Sequence, residues 1–200
     1  MKVNFDAEME KIISQNAGKD KKKLLLHACC APCSSACIER LKEHFDLTVY
    51  FYNPNMDTLA EYEHRYSEQE RLCKALNVNF VGTGYNCEQF YSAVNGLEKE
   101  KEGGARCSKC FSLRLEKTAK YALENGYDYF TTTLTVSPKK NADVLNAIGY
   151  QVASKIGVAF LPSDFKKKNG YIRSIELSKE YQLYRQNYCG CVYSKTEKND

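Results

Sequence analysis

No run of apolar residues in this 200-residue chain approaches the roughly 18 needed to cross a bilayer. The first stretch, MKVNFDAEMEKIISQNAGKDKKK, lacks the continuous apolar core of a secretory signal. These two absences argue against a membrane helix and an export signal, and the expectation is a cytoplasmic protein. There is no internal repeat and no long linker, so one domain is expected, with length enough to bury a substantial core. A further absence is local. From Leu24 to Leu41, LLLHACCAPCSSACIERL, there is no glycine. A strand–loop–helix that opens an α/β domain often cradles a nucleotide phosphate on glycine-rich backbone. Without glycine the amides cannot crowd a phosphate, which argues against ATP at this loop.

What the chain has in excess is cysteine, ten in all, against an otherwise ordinary soluble composition of 43% hydrophobic and 27% charged residues. In a reducing cytosol such thiols point to metal ligation or redox chemistry rather than to disulfide staples. The net charge of +4 is unevenly spread, with lysines clustered at Lys19/Lys21–Lys23, Lys139–Lys140 and Lys166–Lys168. Such runs serve either as solvated loops or as sequence-independent contacts to phosphate.

Periodicity separates a polar N-terminal extension, residues 1–20 with one loose helix at most, from a single α/β domain over 21–200. Leu24–Leu26 with His27 read as a buried strand, and Ser34 or Ser35 as the cap of a helix carrying Cys37, Ile38, Leu41 and Phe45. Leu47–Tyr52 is a second strand, halted by Asn53-Pro54-Asn55. Residues 59–77 form a charged helix with Leu59, Tyr62, Tyr66, Cys73 and Leu76 inward. Val78–Val81 is a third strand, and Cys87 to Leu97 a short helix. A long helix begins at Ser108 and stops at Asn125-Gly126. Tyr129–Val136 (YFTTTLTV) is strongly β-prone, Asn141 caps a helix ending at Gly157, Val158–Leu161 is a last strand, and Ser174–Asn187 a last helix. Strands alternating with helices predict a parallel sheet covered on both faces. Ligands of such sheets bind at the carboxyl edge. The cysteine motif, Asn53–Asn55 and Ser137–Asn141 should converge there.

Iron–sulfur clusters take thiolates, commonly four, from loops that can approach one another. Cys107-x-x-Cys110 lies in a glycine-rich loop at a helix start, where the helix N-terminus favours thiolate. Cys29 and Cys30 are adjacent at a strand end, so both can bind one group only if Ala31-Pro32 turns the chain. Two other uses fit the same residues. A structural zinc could take Cys30, Cys33, Cys107 and Cys110. Cys30-x-x-Cys33 is also spaced like a thioredoxin-type dithiol, although such a motif opens its helix directly and leaves Cys29, Cys107 and Cys110 unexplained. Cys37, Cys73 and Cys87 read as small buried hydrophobes. Cys189-Gly190-Cys191 stands apart. A disulfide between residues two apart departs from relaxed geometry, and such strain marks a labile, redox-active bond. The plain alternative is two inert thiols in a frayed tail.

Taken together, LLLHACCAPCSS, YNPN followed by EYEHR, RCSKCFSLRLEKTA, TTTLTVSPKKN and the terminal YCGCVYS resemble epoxyqueuosine reductases of the QueH type. The resemblance spans about Lys22 to Ser194 in the same order. It implies a fold similar to the adenine nucleotide α-hydrolase-like (HUP) α/β proteins, with cysteines in place of the phosphate loop. It also implies reduction of the epoxide of epoxyqueuosine at the tRNA wobble position to queuosine. The resemblance further implies a [4Fe-4S] cluster on Cys29, Cys30, Cys107 and Cys110, and a redox-active disulfide of Cys189 and Cys191.

Cys33 is left over by that scheme. It is a candidate ligand for a second, mononuclear iron acting on the epoxide oxygen as Lewis acid. Glu61, Tyr62 and Arg65 are candidates for a proton donor and for phosphate or base contact, against the ordinary reading of an exposed i, i+4 pair. The expected partners are the anticodon loop of tRNA, stacked on aromatics such as Tyr171, Tyr181, Tyr184 or Tyr188 with Arg185 nearby, and an unidentified electron donor. Two rival readings are an ATP-dependent tRNA-thiolation-type enzyme on a related fold and a zinc-stabilised nucleic-acid-binding module.

Overall fold

The computed structural model describes residues 3–18 and 20–196; Lys19, of the first lysine cluster, lies outside them. Five strands form one parallel sheet: β1 (Lys23–His27), β2 (Asp46–Phe51), β3 (Asn79–Gly82), β4 (Tyr129–Thr132) and β5 (Ala159–Phe160), in the order β3-β2-β1-β4-β5. Strand alternation divides the leucines of β1 between two cores. Leu24 and Leu26 join Ile38, Leu41 and Val49 on one face, and Leu25 joins Tyr50, Leu115, Phe130 and Leu145 on the other. The first face is covered by α2 (Ala31–Leu41), α3 (Leu59–Ala75) and α7 (Gly170–Glu180), the second by α5 (Ala105–Glu124) and α6 (Ala142–Ile156). The chain leaves β1 for β2 on one side and returns to β4 on the other. The carboxyl end of β1 is therefore the switch point where such sheets bind ligands. No helix among the described residues is long and apolar enough to cross a membrane.

Several boundaries differ from the sequence reading, each for a local reason. The N-terminal segment is not a loose extension. Residues Phe5–Asn16 form α1, capped by Asn4, whose Oδ1 accepts from the Ala7 amide at 3.2 Å. Met9 and Ile13, one turn apart, enter the first core, and Asp6 pairs with Arg40 of α2 at 2.6 Å. Helix α2 begins at Ala31 rather than at the serines, because Pro32 in its first turn is already set for helical φ. Ser34 and Ser35 are buried in the helix instead. Helix α5 likewise starts at Ala105, so Cys107 and Cys110 lie on its first turns and not in a loop. Only half of YFTTTLTV is strand. The Thr132 hydroxyl accepts from the Leu134 amide at 3.2 Å and folds Thr133–Val136 into a buried 3-10 turn. Leu59 is exposed, and the last long helix ends at Glu180. The two remaining helices are α4 (Glu88–Val94) and α8 (Val192–Thr196).

Candidate active site

Cys29 and Cys30 lie in the short link after β1 and Cys33 sits in the first turn of α2, with Cys30 as its N-cap. The turn between them brings all three sulfurs within 4.8 Å of one another, Cys29 and Cys30 at 3.8 Å. Their environment divides them. Hydrogen bonds with Cys30 and Cys33 hold the Cys29 thiol well below the ordinary thiol range, against its burial, with Arg114 and Lys140 adding positive potential. Burial and then the bond to Cys29 push Cys30 up to about 12, and the bonds to Cys29 and Cys30 hold Cys33 well above the ordinary value. The thiol of the three that ionises most readily thus sits at the positive end of α2, where the helix dipole favours a thiolate. Because α2 opens directly at Cys30, that geometric objection to a thioredoxin-type pair falls. What still counts against it is the third thiol, Cys29, in the same group.

Cys107 and Cys110 border a small cavity of about 20 Å³ together with Cys189, Cys191, Asn55 and Arg106. Burial pushes Cys110 up to about 12. Cys189 also lines the larger cleft, about 260 Å³, with Cys29, Cys33, Arg65, Lys140 and Tyr188. It is therefore the thiol common to both spaces. The CGC segment is not a frayed tail. Gly190 takes a φ of +110°, and the segment is tied down by bonds from Asp57, Arg65 and Ser194. The expected bond between Cys189 and Cys191 is absent, and all ten cysteines are free thiols. Cys191 is buried with Phe90, Val94 and Cys110, whereas Cys189 is half-buried at the cleft.

Three arginines in this region are buried, a cost proteins meet only where negative charge compensates. Arg114, wholly buried, donates from Nη2 to Asn53 at 2.6 Å and from Nε to His27 Nε2 at 3.3 Å. His27 is held neutral, its pKa lowered to about 3 by burial and then by Arg114. Its Nδ1 is paired with Thr132 Oγ1 at 2.9 Å, and Nε2 also lies 3.2 Å from the Tyr52 carbonyl, so both ring nitrogens are engaged. Burial works against the Arg114 charge, and the sulfurs of Cys110, Cys29 and Cys189 outweigh it. Arg65, 2% exposed, donates to Glu61 at 2.6 Å and to the Cys189 carbonyl at 3.3 Å. The arginine is buried against the Cys189 carbonyl and Glu61 is half-buried, so the pair is not the exposed one expected. Arg106 donates to the carbonyls of Glu98 and Glu100 and lies over the ring of Tyr193. Nη1 of Arg114, Nη2 of Arg65 and both amide atoms of Asn55 are buried without a hydrogen bond. Donors left open beside these thiols are what an anionic, sulfur-ligated group would use, so the donor chemistry fits an iron–sulfur cluster, while the sulfurs of Cys107 and Cys110 lie outside the group formed by Cys29, Cys30 and Cys33.

The other candidates separate as well. Tyr171, Tyr188, Arg185, Lys139 and Lys140 line the cleft. Burial works against the Lys140 charge, and the sulfurs of Cys189, Cys29 and Cys33 raise its pKa all the same. Tyr181 packs against the first core, and Tyr184 stands edge-on to His64 away from the cleft. Tyr62 is structural, its hydroxyl bonded to the Thr83 carbonyl within a ring cluster of Phe51, Tyr66 and Tyr85. Lys22 pairs with Asp128 at the amino edge of the sheet, far from the site, and Lys166 pairs with Asp164. Cys37 and Cys73 are buried on helix faces, and Cys87 is half-buried. Asn53 and Asn55 stand at the carboxyl edge, as their place after the second strand predicts. Neither the roles of Arg114 and His27 nor the burial of the two amides carries a signal in the sequence.

A family model described as epoxyqueuosine reductase QueH matches residues 24–197. The chain belongs to this family. A QueH from Staphylococcus epidermidis is 45% identical over 96% of this chain and 85% of its own length. One from Thermotoga maritima is 38% identical over 88% of this chain and 92% of its own. Among solved structures, that of the U34-tRNA thiolase NcsA of Methanococcus maripaludis with its [4Fe-4S] cluster aligns at a TM-score of 0.56. It covers 96% of this chain and 70% of the thiolase at 14% identity, a likeness of fold. The fold is that of the adenine nucleotide α-hydrolase-like proteins, with the QueH cysteines standing at the loop after β1.

Proposed function

We propose that this α/β domain, with its tail at 189–191, reduces epoxyqueuosine in tRNA to queuosine in the cytoplasm, within the cleft bounded by Cys29, Cys33 and Cys189. The observation that carries the reading is that Cys189 borders both this cleft and the Cys107/Cys110 cavity. Cys29, Cys30, Cys107 and Cys110 would hold a [4Fe-4S] cluster, and Cys33 a second iron beside it. A bound cluster supplies electrons one at a time.

Converting the epoxide to the alkene takes two electrons and two protons, and the oxygen leaves as water. Oxidation of the Cys189 and Cys191 thiols to a disulfide releases two electrons and two protons, which matches one turnover. An external donor then restores the dithiol. The two cysteines flank Gly190, whose φ of +110° lets the backbone turn between them, which supports that exchange. Arg65 and Lys140 place positive charge on the cleft, where negative charge develops on the departing oxygen. The cleft takes the anticodon nucleoside, with the rings of Tyr171 and Tyr188 available for stacking and Lys139 at the rim for phosphate.

The test is anaerobic purification followed by turnover of epoxyqueuosine-containing tRNA. A brown protein whose visible band bleaches with dithionite, active as wild type and inactive as Cys107→Ser, supports the reading. Equal activity in both removes the cluster from the mechanism, and a colourless protein with stoichiometric zinc ends the reductase reading. Iron analysis decides the second metal: four irons per chain, unchanged in Cys33→Ala, discards it.

A further inference from the structure

The turn after β2 carries two asparagines that behave differently. Asn53 is fully bonded: Nδ2 donates to the Ala28 carbonyl at 2.9 Å and Oδ1 accepts from Arg114 at 2.6 Å. Asn55 is as deeply buried, 1% exposed, yet neither Oδ1 nor Nδ2 has a hydrogen-bond partner. A carboxamide offers two donors and an acceptor, and burying all of them unmet is a cost that folded proteins rarely carry. Leucine, with the same branching, would present no unmet polar group there. Asn55 borders the cavity of Cys107, Cys110, Cys189 and Cys191. The free volume there, about 20 Å³, admits a single water.

We propose that Asn55 is a positioning residue for the cluster. Its Nδ2–H donates to a cysteinyl or inorganic sulfur of the iron–sulfur group held at Cys107 and Cys110. This rests on the cluster reading of the proposed function and deepens it. Both ends of the amide lack partners, so either orientation of the side chain can present its N–H without breaking another bond. Hydrogen bonds to cluster sulfur draw electron density from it, favour the reduced state and raise the reduction potential. Arg65 and Arg114, each with one unpartnered nitrogen, act on the same group as charges. Asn55 adds a directed neutral donor on the side of Cys189 and Cys191.

The experiment compares anaerobically reconstituted wild type, Asn55→Leu and Asn55→Asp in an optical redox titration, with iron and melting temperature measured in parallel. Both variants are expected to titrate at a more negative potential than wild type, the aspartate further because it adds charge and accepts without donating. Apo Asn55→Leu should melt no lower than the wild-type apoprotein, since it removes unmet polar groups. A merely structural asparagine, or one bonded only to water, would lower the melting temperature and leave the potential unchanged. A wild-type potential in either iron-loaded variant overturns the proposal. Should the leucine variant fail to fold, the aspartate variant, of the same size and shape, decides alone. A wild type that takes up no iron refutes the cluster itself, an outcome distinct from an unshifted potential.

Discussion

The backbone N–H of Asp57 donates to the carbonyl of Gly190 at 2.8 Å, joining the turn after β2 to the CGC segment. Around that bond, Arg65 donates to the Cys189 carbonyl, the Tyr188 hydroxyl and Lys195 ammonium each reach an Asp57 carboxylate oxygen at 3.0 Å, and Ser194 Oγ accepts from the Cys189 amide at 3.2 Å. The two thiols are thus presented from a clamped turn. Their placement depends on residues some 130 positions earlier in the chain.

Gly190 is the weak point of that clamp. At φ +110° a side chain is strained, and a Cβ there would stand 2.6 Å from Met56 Sδ and 3.2 Å from Arg65 Nη1. Gly190→Ala should displace the segment at a cost of about 1–3 kcal/mol of local strain while the sheet stays folded. Reductase turnover should fall at least tenfold with far-ultraviolet circular dichroism unchanged. Wild-type turnover in this variant would show that the placement of the pair is immaterial.

The packing cysteines should differ chemically from an accessible one. Burial pushes the Cys73 thiol up to about 11, partly offset by the bond from Gln69. A raised thiol pKa means the neutral form persists as pH rises, until pH approaches that value. At pH 8 only about one thiol in a thousand would be thiolate, against about a quarter for an unperturbed cysteine. Iodoacetamide treatment of the apoprotein at pH 8, read by peptide mass, should label half-buried Cys87 well before Cys73 and Cys37. Equal labelling rates would contradict the packing assigned to Cys73.

What was legible in the sequence was whatever depends on nearest neighbours. The leucines of β1 and the alternation of strand and helix specify the layers, and rarity picks out the cysteine pairs. Asn141 and Gly157 bound α6 as their chemistry requires. The buried arginines were not legible. Glu61 and Arg65 at i, i+4 look like any solvated helix pair, and only the docking of Cys189 from the far end of the chain encloses them. The start of α2 carried a readable signal, Pro32 in the first turn, that the serines after it concealed.

Helix α1 gives the sharpest contrast between composition and packing. Its sequence, FDAEMEKIISQN, is mostly polar, and a polar segment at a chain end is ordinarily expected to be loose. Yet Met9 is 0% exposed and Ile13 is buried beside it, while Arg40 holds Asp6 at 2.6 Å and the Tyr150 hydroxyl donates to Glu8 at 2.9 Å. The two anchors reach α2 and α6, which cover opposite faces of the sheet. Two side chains one turn apart are enough to seat a helix when they enter an existing core. Met9→Ala should then cost about 2–5 kcal/mol, the range for truncating a buried methionine, with a drop of several degrees or more in melting temperature. A substitution in a loose extension would stay within about 0.5 kcal/mol. A melting temperature equal to wild type would mean that α1 contributes nothing to the core in solution.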